Sequence, residues 1–136
     1  MKKFLLMLLV ASSVVMAKPY TIADRIQDMN EMASAMNIIQ SGFFYNNYST
    51  VEAGVVKLSS AISRVQPPLE EVQEQDVLTR YMNQKIQMSN KIVKNINRRS
   101  IDILERMKSG DSTQALQAYT KIMGQCMKCH REMRNW

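Results

Sequence analysis

The chain has 136 residues, 18 of them basic and 12 acidic, so its formal net charge is +6. This length is typical of one domain with one core. Apart from Arg98-Arg99, the basic residues are scattered among acidic ones. This pattern argues against a nucleic-acid-binding protein, in which a dense basic stripe is expected. A mildly basic protein is nevertheless able to attract an acidic partner.

The first 17 residues have the pattern of a secretory signal peptide. Lys2 and Lys3 precede an apolar run that begins at Phe4, and small residues lead to Ala17. The apolar run is too short to span a bilayer comfortably, so cleavage is favoured over the alternative of an uncleaved membrane anchor. We therefore expect cleavage after Ala17 and an exported mature domain of residues 18–136, with a net charge of +4 and no membrane span.

Two helices are predicted first, because apolar residues recur there every three or four positions. One covers about residues 21–45, and the other covers about residues 49–65. Ser49 or Thr50 is expected to cap the second helix, which ends before Pro67-Pro68. The predicted apolar face of the first helix consists of Ile22, Ile26, Met29, Ala33, Met36 and Phe43.

Two more helices are predicted in the second half of the chain. The third starts at Pro68, which suits a first helical turn, and stops at Lys108-Ser109-Gly110. The fourth starts at Asp111 or Ser112. Four amphipathic helices with short connections predict an all-α, up-down-up-down four-helix bundle, although periodicity alone also allows three-helix arrangements. The predicted apolar face of the last helix consists of Leu116, Tyr119, Met123, Cys126, His130 and Met133.

Residues 126–130 read Cys-Met-Lys-Cys-His, the C-x-x-C-H signature of covalent haem attachment. Thiols three residues apart on a helix, Cys126 and Cys129, point to nearly the same side and are able to bond to the two vinyl groups of one haem. The adjacent His130 then becomes the proximal iron ligand. The motif therefore predicts one covalent haem c, with its iron, on the last helix.

Three other interpretations of the motif compete with haem attachment. A thioredoxin-like redox pair needs a βαβ context, and the sequence indicates no strands. A structural zinc site needs four ligands, whereas the chain has only two cysteines and one histidine. A disulfide between neighbouring cysteines is common in exported proteins, but it gives no role to the histidine that follows.

A C-x-x-C-H motif near the carboxyl end, on the last helix of a bundle, resembles the class II cytochromes c. This family includes cytochrome c′ and its low-spin relatives. Gly110-Asp111 before the last helix, Arg134 four residues after His130, and Arg25 followed by Met29 also match the family. Met133 departs from it, because an aromatic residue is usual there.

The resemblance implies the surroundings of the haem. It puts Arg25 and Arg134 in the haem environment and Met29 opposite the proximal histidine. In the low-spin relatives a methionine binds iron there, whereas in high-spin cytochrome c′ a leucine or another non-ligating group usually crowds an open site. Methionine is also a common core residue, so an open iron, or ligation by Met32 or Met36, remains an alternative.

From these features we expect a periplasmic monohaem cytochrome that transfers electrons to and from redox partner proteins, with His130 and Met29 as iron ligands. No arrangement of residues typical of an enzyme is apparent. A high-spin protein that binds nitric oxide or carbon monoxide is the main alternative, and a secreted helical adaptor without haem is a third. The resemblance also raises pairing into homodimers through the first two helices. No nucleic-acid partner is expected.

Overall fold

The computed structural model describes the backbone of residues 20–65 and 77–134, and the side chains of residues 20–65 and 84–132. These segments form four α-helices and no strand, in an up-down-up-down bundle, which confirms the predicted fold class. The predicted signal peptide and the predicted helix start at Pro68 lie outside the described residues. The helices are α1 (Ile22–Phe44), α2 (Tyr48–Arg64), α3 (Val77–Lys108) and α4 (Ser112–Arg134).

Short polar residues define the ends of α1. At its start, the Thr21 hydroxyl accepts a hydrogen bond from the Asp24 amide, and the Asp24 carboxylate accepts one from the Thr21 amide. This reciprocal capping box satisfies two amides that have no partner within the helix. At its end, Asn46 has a left-handed backbone with φ of 46°. The Asn47 amide then bonds to the Gly42 carbonyl at 2.8 Å, which closes the helix.

The caps of the other helices follow the same chemistry. The side chain of Asn47 caps α2 by accepting from the Thr50 amide at 3.1 Å, so the predicted cap at Ser49 or Thr50 is wrong. Asp111 caps α4 as predicted, by accepting from the Gln114 amide. Gly110, directly before Asp111, has a left-handed backbone with φ of 80° and ends α3 at the predicted position. Asn47 rather than Ser49 caps α2, because Asn47 directly precedes Tyr48, the first helical residue.

The core of the bundle is a cluster of branched aliphatic side chains from all four helices. Each fully buried Leu or Ile contributes roughly 1.5–3 kcal/mol through removal of apolar surface from water. Two small polar residues of α3, Ser89 and Ser100, are also buried. The largest fully buried apolar side chains are Ile39, Val51, Leu58, Ile96, Ile103 and Ile122.

A buried carboxylate ties α1 to α2. Asp28 is 4 % exposed, and its carboxylate accepts hydrogen bonds from Arg64 Nε at 2.8 Å and from the Tyr20 hydroxyl at 2.9 Å. A second carboxylate, that of Glu31, also pairs with the Arg64 guanidinium. A buried charge is tolerated when it is paired and hydrogen-bonded in this way. Asp28 thus joins the start of α1 to the end of α2.

The helices do not pack equally closely. The main contacts join α1 to α2, α3 to α4, and α2 to α3. At Gly54, the backbones of α1 and α2 come so close that an added Cβ would lie 2.9 Å from the Ile39 amide nitrogen. In contrast, α1 and α4 make few contacts with each other. The bundle is therefore tight along α1–α2 and open along α1–α4.

Candidate cofactor site

The opening between α1 and α4 is a cavity of about 540 Å³. This volume lies within the range of roughly 300–1,000 Å³ that is usual for sites of small molecules and cofactors. Two opposite walls come from α1 and α4, while α2 and α3 supply the floor. The α1 and α4 walls include Ile26, Met29, Met32, Ala33 and Met36 on one side and Tyr119, Met123, Cys126, Met127, Cys129 and His130 on the other.

The α1 wall includes most of the apolar face that the sequence predicts for this helix. The residues of α1 that are buried in the core are instead Asp28, Met32, Ala35, Ile39 and Gly42. The predicted stripe lies at the edge of the core, where Met29, Met36 and Phe43 are half-buried and pack against it. Its members at the start of α1 are exposed, Ile22 by 72 % and Ile26 by 51 %. The apolar face of α1 therefore borders the cavity as well as the core.

The α4 wall shows the same arrangement. The core face of α4 consists of Ala115, Ala118, Tyr119 and Ile122. Of the predicted stripe, Tyr119 is buried, whereas Leu116 is 51 % exposed and Met123 is 48 % exposed. Both α1 and α4 thus present apolar residues to the gap between them. An apolar surface of this kind marks a site for a ligand or partner.

Tyr119 bridges the gap from the α4 side. Its hydroxyl donates to the Met36 carbonyl of α1 at 3.4 Å, and its ring packs edge-on against Phe43 with centroids 5.7 Å apart. Burial raises the pKa of the Tyr119 phenol, and the nearby Cys126 contributes to the same shift. Tyr119 therefore stays a neutral hydrogen-bond donor that links α4 to α1 beside the cavity.

The C-x-x-C-H motif lies well inside α4 and faces the cavity. Cys126, Cys129 and His130 all line it, because positions three and four residues apart share one face of a helix. Both thiols are half-buried and pack against the core. The helix that carries them is held by α3, since Asn95 donates to Gln125 at 3.4 Å and the Lys85 ammonium donates to the Glu132 carbonyl.

The environment of Cys126 favours a protonated thiol. Burial raises its pKa, the neighbouring Cys129 raises it further, and a backbone hydrogen bond opposes the shift. Thiolates of redox-active pairs are instead stabilised by helix N-termini or adjacent cations. Cys126 is far from the start of α4, and the described residues contain no strand. These observations argue against a thioredoxin-like pair.

Three methionines of α1 reach the cavity opposite the motif. Met29 and Met36 are half-buried, whereas Met32 is 7 % exposed and belongs to the hydrophobic core. The structure therefore brings Met29 to the same cavity as His130, as the proposed ligand pair requires. It brings the two alternatives, Met32 and Met36, to that cavity as well.

Of the two arginines predicted near the haem, the structure describes the side chain of Arg25 but not that of Arg134. Arg25 is half-buried at the start of α1, one turn before Met29. Its Nη2 atom is buried and has no hydrogen-bond partner among the described residues. Such an orphaned cationic nitrogen suits an anionic group, but Arg25 is not among the residues that line the cavity. Arg134 ends α4, and its side chain lies outside the described residues, as does that of Met133.

The residues around the cavity fit a haem. Apolar walls match a flat macrocycle, a thiol pair and an imidazole provide attachment and ligation, and a thioether faces them from the other wall. Within the described residues, no cluster of three or more His, Cys, Asp or Glu side chains is able to hold a bare metal ion. The donor set thus suits iron held within a macrocycle better than a structural zinc.

Comparison with protein-family models, curated proteins and solved structures finds no match to this chain. None of the described helices is both long enough and apolar enough to traverse a bilayer. A functional proposal therefore depends on the motif and the cavity.

Proposed function

We propose that this chain is an exported, periplasmic monohaem cytochrome of the class II type, which exchanges electrons with redox partner proteins. The observation that carries the proposal is the cavity between α1 and α4. Its two walls are apolar helix faces with no helix between them, and the attachment motif and Met29 line the same space. A covalent planar cofactor accounts for both features together.

Each residue has a defined part in this proposal. Cys126 and Cys129 would hold the haem by thioether bonds, and His130 would bind its iron from α4. Met29 would supply the second axial ligand from α1, and Arg25 would pair with a propionate. A haem with His and Met ligands supplies one-electron chemistry at a raised reduction potential.

The protein around the cavity would limit structural change during electron transfer. Asp28 anchors α1 to α2 immediately before Met29. Lys85 and Asn95 of α3 anchor α4 on either side of the motif. Rigid ligand-bearing helices keep the geometry of a redox centre similar in both oxidation states, which favours fast transfer.

Covalent attachment is tested by producing the protein together with a cytochrome c maturation system. We expect the mass of the mature chain to increase by one haem, with cleavage after Ala17. Cys126→Ser and Cys129→Ser should each lose one thioether bond, and the double variant should lose covalent haem entirely. Ser109→Ala, on the turn between α3 and α4, is the matched control. A wild-type chain without covalent haem would overturn the proposal and favour a haem-free helical adaptor.

The identity of the sixth ligand is tested by optical spectra of the oxidised and reduced protein. We expect a low-spin spectrum with the weak far-red band of methionine–iron ligation. Met29→Leu should abolish that band, because leucine has a similar volume but no donor atom. Met107→Leu is the control, since Met107 packs against the core but does not line the cavity.

The outcomes separate the alternatives. Loss of the band in Met32→Leu or Met36→Leu, but not in Met29→Leu, would reassign the ligand. A high-spin wild-type protein whose reduced spectrum changes with carbon monoxide would instead support gas binding at an open iron. That result would contradict ligation by Met29 and leave attachment through the motif unaffected.

A further inference from the structure

Charge is divided unequally between the two halves of the bundle. Residues 84–132, on α3 and α4, include ten basic and four acidic side chains, whereas residues 20–65, on α1 and α2, include three basic and four acidic ones. Four more acidic residues occur in the connecting segment 66–76, which lies outside the described residues. The excess positive charge is therefore on the helix pair that carries the attachment motif.

The outward face of α4 combines this charge with exposed apolar surface. Met123 is 48 % exposed and Met127 is 65 % exposed, and both also belong to the wall of the cavity. Three exposed cations lie beside them, namely Lys121, Lys128 and Arg131. We refer to these five residues as the α4 face. It adjoins the open side of the cavity because its two methionines belong to both.

The cations of the α4 face are largely uncompensated. Lys121 and Lys128 make no ion pair among the described residues. Arg131 pairs only with Glu132, at 3.5 Å, and remains 74 % exposed at its side chain. Exposed pairs of this kind are weak and are screened by salt. The face therefore keeps a net positive charge.

The α4 face also contains a glycine, Gly124, whose small size is not explained by contacts among the described residues. Gly124 is exposed in the middle of α4, and an added Cβ would meet no atom within 4 Å. Glycine at such a position costs about 1 kcal/mol relative to alanine. No contact among the described residues requires a glycine there, and its lack of a side chain leaves room for another molecule to approach the helix closely.

We propose that the α4 face is the docking surface for an acidic redox protein. This inference rests on the proposed function. Methionine and arginine are enriched at protein interfaces, and an apolar centre with a polar rim is their usual anatomy. Complementary charge raises the rate of encounter and selects orientation. A partner held there lies beside the cavity mouth.

Binding to the face is measured with fluorescein-labelled poly-L-glutamate, followed by anisotropy at low ionic strength, with poly-L-lysine as the matched negative control. We expect binding that weakens as salt increases. The double variant Lys121→Glu/Arg131→Glu should weaken it by about tenfold, because like charges then oppose each other. The double variant Arg106→Glu/Lys108→Glu, at the far end of α3, makes the same change in net charge and should have a much smaller effect.

Electron transfer gives a second readout. Oxidation of the reduced protein by ferricyanide should slow in Lys121→Glu/Arg131→Glu and stay near the wild-type rate in the control variant. Equal effects of the two double variants in both assays would show that only net charge matters, and would overturn the proposal. A wild-type dimer that the Lys121→Glu/Arg131→Glu change dissociates would also overturn it, because the occupant would then be a second copy of this chain.

Failure of this proposal is distinguishable from failure of the proposed function. The polyglutamate titration needs no redox activity, whereas the mass and spectra test the haem alone. A haem-bearing electron carrier with no selective effect at the α4 face refutes only the docking surface.

Discussion

The close approach of α1 and α2 at Gly54 makes a sharp prediction about stability. An alanine Cβ at this position would lie 2.7 Å from Cγ1 of Ile39, 2.9 Å from the Ile39 amide nitrogen and 3.1 Å from the Ala35 carbonyl oxygen. Real Cβ atoms essentially never approach heavy atoms within 3.0 Å. The Ile39 side chain is able to adjust, but the backbone atoms move only if the two helices separate.

The magnitude follows from two opposing effects. Overpacking in a well-packed interior costs about 1–3 kcal/mol, whereas replacing a helical glycine by alanine gains up to about 1 kcal/mol. Because the clash involves backbone of α1, we expect overpacking to dominate, with Gly54→Ala lowering the free energy of unfolding by about 1–2 kcal/mol. For a domain of this size, that loss corresponds to a decrease in Tm of roughly 3–10 °C.

Gly124→Ala is the matched control for Gly54→Ala. It makes the same chemical change in a helix of the same protein, but the added Cβ meets nothing within 4 Å. We therefore expect Gly124→Ala to raise the free energy of unfolding by about 0.5–1 kcal/mol. Urea and thermal denaturation followed by far-ultraviolet circular dichroism measure both variants, each compared with wild type in the same state of haem loading.

Opposite signs for the two variants are the expected result. If Gly54→Ala were as stable as the wild type or more stable, α1 and α2 would not approach as closely as described. If both variants changed stability in the same direction and by the same amount, helix propensity alone would govern both positions. Either result would refute the reasoning from packing.

Three further predictions concern the helix caps and the Asp28 network. Asn46→Gly should raise the free energy of unfolding by a few tenths of a kcal/mol, because the left-handed backbone at φ of 46° disfavours a Cβ. Asn46→Ala should lower the free energy of unfolding by about 1 kcal/mol, because the short polar side chain of asparagine tolerates this backbone better than alanine does; urea titrations check both. Asp28→Ala should lower the free energy of unfolding by about 1–3 kcal/mol, since the carboxylate that joins Arg64 and the Tyr20 hydroxyl is lost. An unchanged urea midpoint would contradict this prediction. Burial and the hydrogen bond to Asp28 raise the pKa of Tyr20 from 10.0 to about 12, so the folded state favours the neutral phenol. The stability that the neutral Tyr20 phenol contributes is complete below pH 10 and is lost as the pH rises towards 12. In thermal melts at a series of pH values, Tyr20→Phe should remove this part of the loss of stability at alkaline pH.

Much of the helical architecture could be predicted because its causes are local. Apolar spacing, the Asp111 cap and the left-handed Gly110 all act within a few residues. The predicted helix ends that fall within the described residues agree with the structure to within about one residue. The α2 cap was predicted wrongly because asparagine and serine are both good caps, and only the backbone at Asn47 decides between them.

The C-x-x-C-H motif could also be recognised from the sequence, since its chemistry depends on spacing within about one turn of helix. Met29 was proposed from a family pattern, and the structure adds that it shares a cavity with His130. Sequence reasoning missed the role of Asp28 in joining α1 to α2. Its carboxylate is buried and bonded to Arg64, 36 residues away along the chain. No local pattern indicates such a partner.

The amino-acid sequence predicted four helices, their order and a motif for haem attachment, because each depends on neighbours along the chain. Only the tertiary structure decided which helix face meets which neighbour. Periodicity identified an apolar stripe on α1 and on α4, and such a stripe usually faces the core. In the bundle, Ile39 and Ile122 fill the core, while Ile26 and Met123 border the gap. The cause is long-range: close packing of α1 on α2 and of α4 on α3 fixes the rotation of each helix and leaves the cavity between them.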